Sequence, residues 1–213
     1  MRIKTRFSRL CQLLVMVLCV ASLLAPEAAD AARRKSVHVP NAKRNGGGAG
    51  GVNNARYADI IMDPVTGEVF HATNADGIRY PASLTKMMTL YMLFEALAQN
   101  RTSMEARLDI SDYATTMPQT HLSLSSGDSI PVDIAIKALI VRSANDVAVV
   151  VAEALGGDVE NFAQKMTAKA RQLGMRNTTF KNPHGLPNTG QRTTARDMAK
   201  LGIALKRDFP QYY

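Results

Sequence analysis

The chain has 213 residues, a formal charge of +8 and 46% hydrophobic residues. That is enough for one ordinary domain with a normal core, and it excludes wholesale disorder. Trp is absent and aromatics are few, which argues against a sugar-stacking or single-strand-binding surface.

Much of the positive charge is local. Arg2, Lys4, Arg6 and Arg9 precede an apolar run from Leu10 to Leu24, and Ala29-Asp30-Ala31 follows. A basic start, a short apolar run and a small-residue cleavage site are the parts of a secretory signal peptide, expected over 1–31. The rival is an uncleaved anchor, but the run is short for a membrane span. Bulky Leu18 before Cys19 argues against a lipoprotein. Both cysteines, Cys11 and Cys19, fall in this leader, so a chain maturing at Ala32 has neither disulfides nor thiolate metal sites. Removing the leader's four basic and two acidic residues lowers the charge from +8 to +6. That charge suits an anionic polymer or surface, and equally well plain solubility. The expected location is the periplasm.

Residues 32–56 are polar, basic and glycine-rich, with Gly46-Gly47-Gly48-Ala49-Gly50-Gly51 at the centre. Such a stretch reads as a flexible tether. Its basic residues are sparse and lack aromatic partners, so no nucleic-acid partner is expected. Folded sequence begins near Tyr57. Ala58–Met62 and Glu68–Thr73 read as a hairpin around the turn Asp63-Pro64-Val65-Thr66-Gly67. Pro81 introduces a helix over 83–98 that is apolar nearly all round and therefore buried. Further helices are expected over 133–141, from Asn145-Asp146 as N-cap to Gly156-Gly157, from Asp158 to Gly174, and over 195–206. Thr178–Phe180 reads as a short strand. A lone hairpin is not independently stable, so the sheet it belongs to is expected to be incomplete within these residues.

The chemistry concentrates in Pro81-Ala82-Ser83-Leu84-Thr85-Lys86. Ser and Lys three apart on a helix share a face, with Cβ atoms about 5–6 Å apart. A helix N-terminus favours developing negative charge. A serine hydroxyl needs an adjacent base to act as a nucleophile, and Lys86 can serve if burial lowers its pKa towards ~7–8. The bland alternative makes Ser83 a helix cap and Lys86 a surface charge. Sixty residues on, Ser143-Ala144-Asn145 stands at a helix–helix junction. There a hydroxyl can relay protons and an amide can hold a substrate amide, or Asn145 can simply cap a helix. Ser-x-x-Lys with a Ser-x-Asn-like triplet and Lys-Thr-Gly is the signature of class A β-lactamases and penicillin-binding proteins.

Four blocks in order carry a closer resemblance: Tyr80–Met88, Ser143–Ala148, Lys181–Leu186 and Thr194–Met198. Together they resemble the low-molecular-mass D-alanyl-D-alanine carboxypeptidases over about Tyr57–Tyr213. The resemblance implies an α/β (α+β) fold of the penicillin-binding protein/serine β-lactamase-like type, a helical lobe plus an incomplete antiparallel sheet lobe. It implies Ser83 as the acyl-forming nucleophile, Lys86 as its base, Ser143 as a catalytic partner and Asn145 as substrate-binding. It implies as partners peptidoglycan peptides ending in D-Ala-D-Ala and β-lactam antibiotics, and no cofactor or metal. Relatives often carry a further domain and an amphipathic membrane helix, which is where peripheral membrane association would arise.

One departure stands out. No Lys-Thr-Gly occurs among residues 1–213; after His184 the only lysines are Lys200 and Lys206. In the family that strand binds the substrate carboxylate and helps frame the oxyanion site, so a truncated domain is expected. His184, between Pro183 and Gly185, reads as a loop-structuring residue rather than an acid. The histidines show no metal-ligand spacing and no phosphate loop exists. Two rivals follow. A class A β-lactamase needs a Glu after the second motif; none occurs after Glu160, and Glu160 is not followed by a Leu-Asn pair at the expected spacing. A non-catalytic peptidoglycan binder fits the absent third motif but not the retained serine–lysine pair.

Overall fold

Two segments too apolar to sit at a surface form the centre of the molecule. A computed structural model of the chain describes residues 57–212; the expected leader over 1–31 and tether over 32–56 lie outside the described residues. β1 (Asp59–Met62) and β2 (Val69–Thr73) pair antiparallel, Asp59 opposite Thr73, with a register shift between Ile61 and Met62. A 3₁₀ turn, Ala82–Leu84, leads into α1 (Thr85–Ala98). A second hairpin, β3 (Arg107–Asp109) with β4 (Ser129–Pro131), encloses the short α2 (Asp112–Thr115). α3 (Val132–Lys137) continues into a wide π turn, Ala138–Arg142, and then come α4 (Asn145–Gly156), α5 (Val159–Gln172) and α6 (Ala195–Asp208).

α4 is the axis of the core. Every residue from Val147 to Ala152 is fully buried, and α1, α2 and α5 pack around it. α1 is buried on most sides, as its composition requires: Met88, Leu93 and Ala96 are shielded completely. Its far end is closed by aromatics. Phe209 meets Tyr91 and Phe94 edge-on with centroids 5.0 and 5.8 Å apart, and Tyr212 stacks on Phe94 at 4.6 Å.

α6 lies against β1 and α1, and its first turn explains the Thr194–Met198 block. Thr194 caps the helix by accepting from Asp197 N–H. Asp197 is buried and accepts from Asn177 N–H (2.8 Å) and Thr178 Oγ1 (2.9 Å). Arg196 grips Asp76 with two nitrogens at 2.8 and 3.0 Å. Arg79 bridges Thr193 through paired backbone hydrogen bonds. This block therefore ties the residues leading into Ser83 onto α6.

Several expectations are corrected. The helix expected from residue 83 begins at Thr85, because Ala82 has a left-handed φ of 47° and the next residues wind as a 3₁₀ turn. The helix over 133–141 opens into the π turn after Lys137. Asn145 is not a cap: Ala144 holds that position and Asn145 is the first helical residue. Thr178–Phe180 forms no strand, only the bridge between Thr179 and Arg192. The β3–β4 hairpin was not anticipated, since three-residue strands are too short to show a period. Within the described residues each sheet has two strands, and Ile61 and Phe70 of the first remain exposed.

Candidate active site

The polar residues of α1 lie towards one end of an otherwise apolar helix. Thr85, Lys86 and Thr89 are all buried, and each is met by the Asn182–Leu186 loop or its support. Thr89 Oγ1 donates to the Pro183 carbonyl at 2.7 Å. Lys86 Nζ donates to the His184 carbonyl, also at 2.7 Å. Thr85 Oγ1 accepts from Gln191 Nε2 at 3.3 Å, while Gln191 Oε1 receives Lys181 N–H and Asn182 N–H. The loop closes on itself through Asn182, which accepts from Gly185 N–H (2.7 Å) and donates to the Leu186 carbonyl (3.0 Å).

Gly185 stands at φ +94°, and a Cβ there would collide with the Ala82 carbonyl. The loop thus rests directly on the turn that carries Ser83. Ser83 itself is exposed. Beside it, Tyr80, Ala82, Gly185, Leu186 and Pro187 line an open, mostly apolar cleft of about 400 Å³. A larger cavity of about 630 Å³, lined by Tyr113, Glu153 and Asp158 among others, includes none of the four predicted residues.

Lys86 is 3% exposed, so it is no surface charge. Besides His184 O, Nζ donates to Asn145 Oδ1 at 2.7 Å. An ammonium has three donors and these bonds use two. Burial lowers the Lys86 pKa to about 8, because desolvation penalises the charged form. His184 is buried and pushed down to about 4, first by burial and then by the Lys86 charge. It is therefore neutral at pH 7. Its Nδ1 accepts Leu186 N–H at 3.1 Å, which places the ring proton on Nε2. The histidine structures the loop and lends its carbonyl to the lysine.

Ser143 and Asn145 arrive from the opposite side, at the junction of the π turn and α4. Ser143 is left-handed, φ 53° and ψ 39°, and its Oγ is buried with no hydrogen-bond partner among the described residues. Asn145 is buried; besides receiving Lys86, its Nδ2 donates to the carbonyls of Pro118 (3.0 Å) and Gln119 (2.7 Å). Its amide thus contacts Lys86 through Oδ1. The structure brings Lys86 and Asn145 into direct contact and sets Ser83 one helical turn before Lys86. Sequence reasoning missed Thr85, Thr89, Gln191 and the Pro118–Leu122 segment. The two threonines left a readable trace, i and i+4 polar positions beside Lys86 in an apolar helix. The others are joined to the site only through tertiary contacts.

A helical core carrying this serine–lysine pair, beside small antiparallel sheets, defines the penicillin-binding, serine β-lactamase-like class. Within that class the chain belongs to the D-alanyl-D-alanine carboxypeptidase family, which it matches over residues 52–213. It is 39% identical over 160 residues to the D-alanyl-D-alanine carboxypeptidase DacC of Escherichia coli, covering 72% of this chain and 40% of that protein. To DacF of Bacillus subtilis it is 35% identical over 146 residues, 68% of this chain and 38% of the relative. Its structure is similar to that of DacD from Francisella tularensis, with a TM-score of 0.73 and 31% identity over 88% of this chain and 44% of that one. Penicillin binding protein 5 of Haemophilus influenzae gives 0.72 and 36%, over 75% and 47%. The chain spans about two fifths of the length of these curated relatives.

Proposed function

We propose that these residues carry the nucleophile and base of a serine D-alanyl-D-alanine carboxypeptidase that acts on peptidoglycan stem peptides and is acylated by β-lactams. The observation that supports it most is Lys86: a buried lysine with a lowered pKa, held by two acceptors one turn after an exposed serine. In the proposed reaction neutral Lys86 takes the proton of Ser83 as Oγ attacks the carbonyl carbon of the penultimate D-alanine. The peptide bond breaks, the terminal D-alanine leaves as the amine after receiving a proton through Ser143, and the Ser83 ester is hydrolysed by water. With a penicillin the same attack opens the lactam ring and leaves the ester on Ser83.

The test is labelling with a fluorescent penicillin, followed by mass mapping of the adduct. It is run on the full protein and on its Ser83→Ala variant. The full protein is expected to label on the peptide containing Ser83, and the alanine variant at least about a hundredfold more slowly, because the nucleophile is gone. An adduct on another serine overturns the assignment. A protein that binds peptidoglycan and never labels supports the second reading, a non-catalytic binder.

We also propose export to the periplasm, on the basic start, apolar run and small-residue site of residues 1–31. N-terminal sequencing of the mature protein is expected to begin at Ala32. Recovery of a cytoplasmic form retaining Met1 overturns this.

A further inference from the structure

Between α2 and β4 the segment Pro118–Leu122 straps the start of α4, and five hydrogen bonds join the two. Thr120 Oγ1 donates to the Ser143 carbonyl at 2.7 Å. Asn145 N–H donates to the Thr120 carbonyl at 2.6 Å. The Asn145 side-chain amide donates to Pro118 O and Gln119 O, and Leu122 N–H donates to Asp146 Oδ2 at 2.8 Å. Thr120 is the residue that engages both halves of the motif, Ser143 through its side chain and Asn145 through its main chain.

The strap does two things the motif cannot do alone. Ser143 is held in a left-handed conformation that a non-glycine residue adopts only when its surroundings require it. Its own side chain supplies no anchor, since Oγ has no partner among the described residues. Its carbonyl is anchored by the Thr120 hydroxyl, beside the backbone bond from this cap to Ala138 O. An asparagine amide also has two faces, one donating and one accepting. With both donors taken by Pro118 O and Gln119 O, Oδ1 is the face turned to Lys86. The strap thereby selects the Asn145 orientation that gives Lys86 an acceptor.

We propose that Thr120 is a positioning residue for acyl transfer, its hydroxyl keeping Ser143 in its left-handed turn and its strap keeping Asn145 Oδ1 on Lys86. This rests on the serine–lysine reading of the site. Thr120 is exposed, so replacing its hydroxyl by a methyl takes nothing from the core.

The experiment compares Thr120→Val and Thr120→Ser with the parent, each as the full protein. Stopped-flow acylation by benzylpenicillin separates initial binding from the covalent step. The valine variant is expected to slow the covalent step by about tenfold, within the range expected for small misplacements of reacting groups. Initial binding and melting temperature should stay unchanged, and serine should restore the rate. A valine variant acylated at the parental rate overturns the proposal. So does a serine variant as slow as valine, because the hydroxyl is then irrelevant. Hydrogen exchange on the same proteins gives a readout that needs no acylation. Thr120→Val should speed exchange of the Asn145 amide at least tenfold relative to Val149 and Val150. If the parent never acylates, the functional reading fails while this exchange result still decides the strap: unchanged exchange at Asn145 overturns it.

Discussion

Replacing Lys86 by methionine is expected to slow acylation of Ser83 by about 10²–10⁴-fold, the usual contribution of a positioned general base, while the protein stays folded. Methionine keeps most of the buried stem and removes the titrating nitrogen. With a pKa of about 8, about one lysine in ten is neutral at pH 7. The parental acylation rate should therefore rise roughly tenfold per pH unit up to about pH 8 and then level off. The methionine variant should lose that rise.

Stability supplies a second readout with a definite sign. The Lys86 pKa falls from 10.5 in the unfolded chain to about 8 in the fold, so the unfolded state binds the proton more tightly. The parent then loses stability as pH falls from 10.5 to 8, and the full penalty, roughly 3 kcal/mol, persists below pH 8. The methionine variant avoids that term but leaves Asn145 Oδ1 and His184 O without their donor, each at a cost of about 1–3 kcal/mol. At pH 7 the two effects oppose each other, so the melting temperature is a poor test. The difference between parent and variant in urea-unfolding stability, measured from pH 7 to 10.5, is the informative quantity. The parent should gain roughly 3 kcal/mol on the variant between pH 7 and 10.5. A parallel pair of pH curves, or a variant acylated at the parental rate, would show that Lys86 is not the base.

Gly185→Ala is the substitution expected to damage fold and site together. A residue other than glycine at φ +94° carries a strain of about 1–3 kcal/mol. The added methyl would also overlap the Ala82 carbonyl, a backbone atom with little room to yield. On one side the loop is fastened by Thr89 to Pro183 O and Lys86 to His184 O. On the other, Arg79 and Arg196 tie the segment before Ala82 to α6. The combined loss should reach about 4–5 kcal/mol, the extreme of single substitutions, and any protein that folds should acylate slowly because the Ser83 turn has been displaced. Gly174→Ala is the internal control: φ is +76° with nothing within 4 Å of the added carbon, so only the backbone preference is lost, about 1 kcal/mol. Urea unfolding of both variants decides the matter. Equal losses at the two positions would mean that the contact with Ala82 does not constrain the loop.

Much of this was legible in the residues themselves. Local rules carry the hairpin turn at Asp63–Gly67, the buried character of α1, and the stops near Gly157 and Gly174. They act over a few residues and leave a local pattern. The Ser83–Lys86 spacing belongs to the same category, because three residues along a helical turn set a distance without help from the rest of the chain. Boundaries were less legible. The left-handed Ala82 that delays α1 to Thr85 answers to the loop pressing on its carbonyl, and the sequence around residue 82 carries no trace of a loop a hundred positions away.

By itself, then, the sequence determined which residues could react and to which family the chain belongs, since both depend on residue types at short spacings repeated in a fixed order. The tertiary structure decided what those residues touch. It buried Lys86 and so lowered its pKa, and it set Asn145 Oδ1 on that lysine. It set the His184 carbonyl as an acceptor for Lys86, and it placed the Thr120 hydroxyl on the Ser143 carbonyl. Desolvation and hydrogen-bond partnership depend on what the fold places against a side chain, and here the partners lie 23 to 98 residues apart.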